Sequence, residues 1–199
     1  MVLTDIPIVL ASQSPRRIHL LQEAGFRVEV IPSHAEEKDA RYHDIGDIVM
    51  ENGRIKGGEV VTRLAQAGRS FARTTLLIAA DTLVVMGEKV YGKPRDMAEA
   101  ERFQLELSGV EHQVYTGVYV HNLHTGNHRS FYEVTGVTLK HRNLAEIREY
   151  FTKVNPLDKA AAYGFQDARE IVETMVGSDT NVIGLPMEHL TRVITEMAK

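Results

Sequence analysis

The segment Ser12-Gln13-Ser14-Pro15-Arg16-Arg17 gathers groups that bind phosphate at the start of a predicted helix. It follows an apolar stretch at Ile6 to Ala11 and precedes apolar residues at helical spacing, so the predicted order is strand, loop, helix. Two hydroxyls, two guanidinium groups and the unpaired backbone N–H groups of a helix start all favour a polyanionic ligand. An ordinary capped helix with both arginines in solvent explains the same residues equally well.

Asp81 is the most informative carboxylate in the sequence. It follows the apolar run Leu76 to Ala80, which is typical of a fully buried strand. We predict a strand over Thr74 to Ala80 that ends at Asp81-Thr82 and therefore carries the carboxylate at its tip. Active sites of α/β proteins usually lie at this end of a strand, where a carboxylate can bind a metal or activate water. A solvated turn aspartate is the alternative.

Further charged positions could complete such a site. The pair Glu36-Glu37 offers a second carboxylate, and Lys56 and Lys93 offer cations that neutralise phosphate. Taken one at a time, each of these residues is more typical of a solvated surface, because long charged side chains are rarely buried.

Several other kinds of catalytic or metal site are disfavoured by the sequence. There is no cysteine, which excludes disulfides, thiolate zinc sites and cysteine nucleophiles. His121, His124 and His128 flank a predicted turn at a spacing that fits no ligand pair on a helix face, so we interpret them as solvated turn residues. Neither the phosphate-loop pattern G-x-x-x-x-G-K-[ST] nor the nucleophile-elbow pattern G-x-S-x-G occurs.

Two helices must position the candidate groups. In the first, Ser14 suits the N-cap, Pro15 the first helical position and Gly25 the stop after the last turn. A second helix, predicted over Ile45 to Ala67, carries Lys56. Three glycines weaken its helical pattern, and they are Gly53, Gly57 and Gly58.

The sequence pattern in the rest of the chain predicts a mixed α/β arrangement with added hairpins. The remaining predicted elements are a strand at Phe26 to Ile31, a hairpin at Leu83 to Tyr91, a helix capped by Asp96, a hairpin of Val114 to His121 with Arg129 to Leu139, a helix at Ala145 to Lys153 and a closing helix at Met187 to Met197. No internal repeat or linker interrupts this order, so we expect one domain over residues 1–199.

Composition limits the classes of function. The 199 residues are 43% hydrophobic and 25% charged, which is ordinary for a globular protein with a buried core. A formal net charge of −4 gives no overall attraction to a polyanion, so we expect no nucleic-acid partner. The N-terminus carries no basic region followed by a long apolar stretch, and no apolar run reaches spanning length, so we expect a soluble cytoplasmic protein with no membrane association.

Several motifs in register resemble the Maf family of nucleotide pyrophosphatases. They are Leu10-Ala11-Ser12-Gln13-Ser14-Pro15-Arg16-Arg17 with Leu20-Leu21, Glu36-Glu37, Lys56, Ala80-Asp81-Thr82, Gly92-Lys93-Pro94-Arg95-Asp96, Tyr115-Thr116-Gly117, Ala162-Tyr163-Gly164-Phe165-Gln166 and Asn181-Val182-Ile183-Gly184-Leu185-Pro186. The resemblance covers nearly the whole chain. It implies an α/β fold with an elongated mixed sheet flanked by helices and a deep cleft, related to inosine triphosphate pyrophosphatases.

The resemblance also implies the roles of individual residues in hydrolysing a nucleoside triphosphate to a monophosphate and pyrophosphate. Asp81 would be the general base, and Glu37 with Asp81 would bind Mg²⁺ or Mn²⁺. The triphosphate would be held by Ser12, Arg16, Arg17, Lys56 and Lys93. At Arg16, Thr82 and Gln166, the positions linked with base choice, the chain is similar to family members selective for dTTP and UTP. This similarity implies that dTTP and UTP are the substrates.

Two departures from the family pattern bear on these roles. The stretch Gly53-Arg54-Ile55-Lys56-Gly57 replaces a frequent Ala-Arg-x-Lys-Ala, which would loosen the helix, and Asp167-Ala168-Arg169-Glu170 stands where a glycine-rich turn is usual. The alternative function is that of a nucleotide-binding regulator of cell division or stress that does not turn the nucleotide over. Whether the chain forms a homodimer is left open by the sequence. The retained Asp81 favours the enzyme, because a sensor needs no general base.

Overall fold

The chain has a mixed α/β fold in the computed structural model, which describes residues 3–38, 44–165 and 169–198. The strands are β1 (Pro7–Leu10), β2 (Arg27–Val30), β3 (Leu76–Met86), β4 (Lys89–Tyr91), β5 (Glu111–Asn122), β6 (His128–Leu139) and β7 (Val172–Val176). The helices are α1 (Pro15–Glu23), α2 (Ile45–Gln66), α3 (Met97–Leu107), α4 (Leu144–Lys153), α5 (Asp179–Ile183) and α6 (Met187–Met197). Short 3₁₀ turns occupy Leu3–Asp5, Pro156–Asp158, Ala160–Ala162 and Arg169–Ile171. The predicted fold class is confirmed.

Within the described ranges the strands form one seven-stranded mixed sheet. Its order is β2-β1-β3-β5-β6-β7, and β4 pairs with β3. Strand β1 runs parallel to both β2 and β3, whereas β4 and β7 are antiparallel to β3 and β6. None of the helices in these ranges has the length and apolarity that a bilayer span requires.

The chain's internal contacts divide it into two compact units. The first unit comprises Met1–Asp81, Thr116–Glu133 and Gly184–Lys199, and the second comprises Thr82–Tyr115 and Val134–Ile183. The single domain over residues 1–199 stays a prediction.

In the first unit, helix α1 begins and ends where the sequence predicts. Ser14 is the N-cap residue with Pro15 following it, although the Ser14 side chain makes no capping hydrogen bond. Gly25 has φ of +85°, a left-handed conformation that glycine adopts without strain. The strand, loop and helix therefore follow one another as predicted, and the chain continues from Gly25 into β2, which pairs with β1.

Helix α2 is continuous over 22 residues in spite of Gly53, Gly57 and Gly58 in its interior. A Cβ atom at Gly57 would lie 2.4 Å from the ring of Tyr119, and one at Gly117 of β5 would lie 2.2 Å from the backbone of Val49. The missing side chains therefore allow α2 to pack directly against β5. The expected loosening of this helix is wrong, because these contacts offset the low helix propensity of glycine.

A compact apolar core fills the second unit. Within this core Tyr91 and Phe103 meet edge to face, with ring centroids 5.1 Å apart. Helix α3 begins at the predicted Asp96, whose side chain accepts the Glu99 N–H, and α4 begins with a capping box formed by Asn143 and Glu146. Both predicted helices of this unit are confirmed.

Strand β3 extends beyond its predicted end. Only Leu76 to Ile78 pair with β1, but the strand continues to Met86 and turns at Gly87 into its antiparallel partner β4. Asp81 therefore lies within the strand, and the prediction that it marks the strand's tip is wrong. It nevertheless lies past the last residue pair with β1, because the parallel pairing ends three residues earlier than Asp81.

Candidate active site

Asp81 is a buried carboxylate with a separate partner on each oxygen. Its residue surface is 5% exposed. Lys56 Nζ donates to Oδ1 at 2.8 Å, and Asn52 Nδ2 donates to Oδ2 at 2.9 Å. Both partners come from α2, one helical turn apart, so the packing of α2 on the strands delivers them to the carboxylate together.

Lys56 joins two carboxylates. Its ammonium lies 2.7 Å from Oε1 of Glu37 and 2.8 Å from Oδ1 of Asp81, and it also lies 3.4 Å from the carbonyl oxygen of Ala80. The Glu37 side chain is 53% exposed, whereas those of Lys56 and Asp81 are 14% and 7% exposed. The cluster therefore reaches from a buried carboxylate at Asp81 to a solvent-facing carboxylate at Glu37.

The cations around Asp81 keep its carboxyl ionised. Burial by itself would raise the pKa of Asp81, but the charge and hydrogen bond of Lys56, the amide of Asn52 and the charge of Arg17 together hold that pKa below its ordinary value. An ionised carboxylate can accept a proton from water or bind a cation, which are the two functions predicted for Asp81.

Arg17 directs its guanidinium toward the protein. Nε donates to the carbonyl of Gly184 at 2.8 Å, and Nη1 donates to the carbonyl of Ala80 at 2.9 Å and to Ser12 Oγ at 3.3 Å. Burial lowers the pKa of Arg17 to about 10, although the Asp81 carboxylate acts in the opposite direction. Arg17 thus fixes the strand next to Asp81 besides placing a positive charge there.

Ser12 lies in the turn between β1 and α1. Its Oγ accepts the backbone N–H of Ser14 at 3.2 Å as well as the bond from Arg17. Arg16 occupies the first turn of α1 and is partly buried. The first unit therefore brings together six of the predicted site residues, which are Ser12, Arg16, Arg17, Glu37, Lys56 and Asp81.

The other predicted residues belong to the second unit or fall outside the description. Thr82 follows Asp81 within β3, and Lys93 is exposed in the loop between β4 and α3. The carbonyl of Gly92, next to Lys93, accepts the N–H of Ala161 at 3.0 Å. Gln166 lies outside the described residues.

Asn52 is the site residue that the sequence analysis missed. It is 1% exposed, and its side chain contacts both Asp81 and the backbone of Lys38. The signal available in the sequence was its spacing of four residues from Lys56, which places the two side chains on one face of α2. A polar residue in that position of a helix with a buried face needs a partner.

The oxygen atoms of this cluster fit a hard divalent cation. One carboxylate oxygen of Glu37 and one of Asp81 converge on the same ammonium, so a small cation could be held by both. Across the ranges described, no group of three or more His, Cys, Asp or Glu side chains is arranged to hold a metal ion. Mg²⁺ is usually bound by one or two carboxylates, and substrate oxygens and water complete its coordination shell. Oxygen ligands also suit Mn²⁺.

Comparison with solved structures places the fold in a known class. The Ham1 protein of Staphylococcus aureus matches with a TM-score of 0.51 and 14% sequence identity, over 96% of this chain and 98% of that protein. At this identity the likeness concerns the fold alone.

Sequence comparison then identifies the family. A family model described as Maf-like protein matches residues 7–197, and the chain belongs to that family. It is 36% identical to the dTTP/UTP pyrophosphatase of Caldicellulosiruptor bescii, covering 96% of this chain and 94% of that protein. It is 37% identical to the dTTP/UTP pyrophosphatase of Carboxydothermus hydrogenoformans, covering 95% and 97%. The predicted family is confirmed.

Proposed function

We propose that this protein hydrolyses nucleoside triphosphates, with dTTP and UTP preferred, to nucleoside monophosphate and pyrophosphate. The observation that carries the proposal is the buried, ionised Asp81 held by Lys56 beside Glu37. The names of the two relatives, which match over nearly their full lengths, support the reaction and the substrates. A protein that only sensed nucleotides would gain nothing from a general base in this setting.

Asp81 acts on water in this proposal. Its carboxylate orients a water molecule and accepts a proton as that water attacks the α-phosphorus. Arg17 holds the adjacent Ala80 carbonyl and so keeps the base from shifting along the strand. Lys56 stabilises the ionised form of Asp81 before the proton is transferred and favours the return of the proton to solvent afterwards.

Cations neutralise the triphosphate, because the attack on phosphorus is slow until the phosphoryl oxygens and the leaving pyrophosphate are stabilised. We assign phosphate binding to Arg16 at the start of α1, to Ser12, Lys56 and Lys93, and to the positive field of Arg17. Glu37 and Asp81 would hold Mg²⁺ or Mn²⁺, which when bound polarises a phosphoryl oxygen.

Base choice is assigned to Arg16, Thr82 and Gln166. Thymine and uracil present the same edge of carbonyl, N3–H and carbonyl, whereas cytosine replaces one carbonyl by an amino group and lacks the N3 proton. A glutamine amide offers both a donor and an acceptor to that edge. A mismatched buried polar group costs about 1–3 kcal/mol, so CTP should be used about 10- to 100-fold less efficiently than UTP.

A product assay tests the reaction and its substrates together. The purified protein is incubated with canonical and modified triphosphates in the presence of Mg²⁺ or Mn²⁺, and the products are separated. We expect monophosphate and pyrophosphate from dTTP and UTP. Stoichiometric orthophosphate as the first product would move the protein to another reaction class, and binding without any turnover would support the nucleotide-binding regulator instead.

The variant Gln166→Glu tests the base reader. We expect kcat/KM for dTTP and UTP to fall while phosphate binding, measured as inhibition by pyrophosphate, stays near the parent value. Turnover of CTP as efficient as that of UTP in the parent protein, or an unchanged UTP-to-CTP ratio in Gln166→Glu, would refute this account of base choice and leave the pyrophosphatase assignment standing.

A further inference from the structure

We propose that Asn52 is a positioning residue that holds the Asp81 carboxylate and the segment next to Glu37 in one fixed arrangement. The proposal deepens the proposed function and rests on it. It is based on three hydrogen bonds from one buried side chain, which connect α2, β3 and the chain segment before α2.

The Asn52 side chain is fully engaged. Its Oδ1 accepts the Lys38 N–H at 2.8 Å, and its Nδ2 donates to the Lys38 carbonyl at 3.3 Å and to Asp81 Oδ2 at 2.9 Å. An amide nitrogen has two hydrogens, so both are used. Because Asn52 is 1% exposed, water cannot replace these partners, and the amide has one favourable orientation.

The bond to Asp81 supplies what Lys56 cannot. An ammonium is a point charge on a flexible stem, and that of Lys56 contacts Glu37 and Ala80 as well as Asp81. The terminal torsion of an aspartate is broad, so a single donor on Oδ1 leaves the carboxylate plane free to turn. A second donor on Oδ2 fixes that plane. Asn52 therefore orients the base, and Lys56 supplies the charge.

The bonds to Lys38 fix the other side of the site. Residues 31–38 belong to no helix or strand, and Glu37 is directly followed by Lys38 in this segment. The Asn52 side chain pairs with both backbone polar groups of Lys38 as a neighbouring strand would. The Lys38 ammonium also contacts Glu51 on α2 at 3.0 Å, but that pair is exposed and holds the segment weakly. Of these two contacts between the segment and α2, the buried amide is thus the stronger.

Two substitutions separate the bond from Asn52 to Asp81 from the bonds between Asn52 and Lys38. Asn52→Asp keeps the acceptor for the Lys38 N–H but faces the Asp81 carboxylate with a second carboxylate instead of a donor. Asn52→Leu is similar in size and loses all three bonds. Asn122 provides matched controls, because it is also buried and its side chain makes three bonds to backbone groups, those of Arg73, His124 and Thr125.

Three measurements are made on each variant and on the parent protein. These are kcat and KM for dTTP, the affinity for Mn²⁺ without nucleotide by electron paramagnetic resonance, and hydrogen exchange of the Lys38 amide by nuclear magnetic resonance. Groups that orient a metal-binding carboxylate contribute about 10- to 100-fold to activity or metal affinity. We expect kcat to fall by about that factor in both Asn52 variants, with KM changed less than about threefold.

The other readouts distinguish positioning from a structural role. Asn52→Leu should weaken Mn²⁺ binding about tenfold and accelerate exchange at Lys38, whereas Asn52→Asp should keep the Lys38 amide protected. The variants Asn122→Asp and Asn122→Leu should leave kcat, Mn²⁺ affinity and Lys38 exchange near the parent values.

A parent-like kcat in Asn52→Asp, equal losses in the Asn122 variants, or unchanged Lys38 exchange in Asn52→Leu would overturn the proposal. If the parent protein turned over no triphosphate, the proposed function would fail by itself. The Mn²⁺ affinity and the Lys38 exchange would still decide for or against Asn52. If Asn52→Leu failed to fold, the comparison of kcat between Asn52→Asp and Asn122→Asp would decide for or against the proposal.

Discussion

The Asp81 carboxylate shows how a side chain can be buried and still carry charge. Removing a carboxylate from water costs several kcal/mol unless a partner of opposite charge and further hydrogen bonds compensate. Lys56 provides the charge, and Asn52 occupies the second oxygen. The arrangement is therefore favourable only when all three side chains are present, and this dependence can be measured.

Asp81→Asn should remove turnover and keep nucleotide binding. The amide preserves the shape of the side chain but cannot accept a proton, and a positioned general base contributes about 10²- to 10⁴-fold to a rate. Binding of dTTP is measured by calorimetry and turnover by release of monophosphate. Near-parent turnover with saturating Mg²⁺ or Mn²⁺ would rule out Asp81 as the base.

Lys56→Met should destabilise the folded protein. It leaves the Asp81 charge buried without its ammonium partner, and breaking such a pair costs about 3–5 kcal/mol. The free energy of unfolding is measured with urea at neutral pH. Lys38→Met, which removes a lysine from an exposed pair with Glu51, is the control and should cost at most about 1 kcal/mol. Equal effects of the two substitutions would contradict the burial argument.

Helix α2 illustrates how an element can be unfavourable by propensity and favoured by packing. Each glycine in a helix interior costs about 1 kcal/mol relative to alanine. Gly57 and Gly117 nevertheless create the flat contact between α2 and β5 that brings Asn52 and Lys56 to Asp81. Gly58, next to Gly57, has no atom within 4 Å of the position a Cβ would occupy.

Gly57→Ala and Gly58→Ala should therefore have opposite effects on stability. The added methyl at position 57 meets the ring of Tyr119 at 2.4 Å, and overpacking of this kind costs about 1–3 kcal/mol. The same methyl at position 58 should add about 0.5–1 kcal/mol to the free energy of unfolding, through helix propensity alone. Thermal and urea unfolding check both. Stabilisation by Gly57→Ala would show that α2 does not need this close approach.

The stability of the protein should depend on pH through the buried His112 and the half-buried His121. In the second unit His112 is 1% exposed, with Nδ1 3.2 Å from the Val110 carbonyl and Nε2 2.8 Å from the Tyr163 hydroxyl. A carbonyl only accepts, so Nδ1 carries the proton and Nε2 accepts from Tyr163. Burial lowers the pKa of His112, and it also lowers that of His121 in the first unit, with the His128 charge acting in the same direction.

We expect the free energy of unfolding to fall as the pH drops below about 6.5. A histidine with a lowered pKa binds its proton more readily in the unfolded chain, so its contribution is complete above the ordinary pKa and is lost on acidification. Each such group contributes a slope of at most about 1.4 kcal/mol per pH unit. His112→Gln should flatten the profile between pH 6.5 and 5, and urea unfolding across this range is the measurement. His124→Gln, at an exposed turn residue, is the control; an identical flattening there would refute the assignment to His112.

Local sequence determined much of the fold and of the site. Ser14, Pro15 and Gly25 delimit α1 because their backbone preferences act within a few residues, and Asp96 with Glu99 marks the start of α3 for the same reason. The apolar run before Asp81 predicted the buried strand that carries this carboxylate, since such a run has few alternatives to a buried strand. Motifs in register then gave the family, which the comparisons confirm.

Tertiary structure alone decided which groups meet. Asn52 and Asp81 are 29 residues apart, and Arg17 and Gly184 are 167 residues apart. No local preference connects either pair, because the partner of a buried polar group depends on how distant elements pack. The continuity of β3 through Asp81 joins the strand predicted before it to the hairpin predicted over Leu83 to Tyr91. The sequence could single out Asp81, but only the packing of α2 on the strands determines its partners.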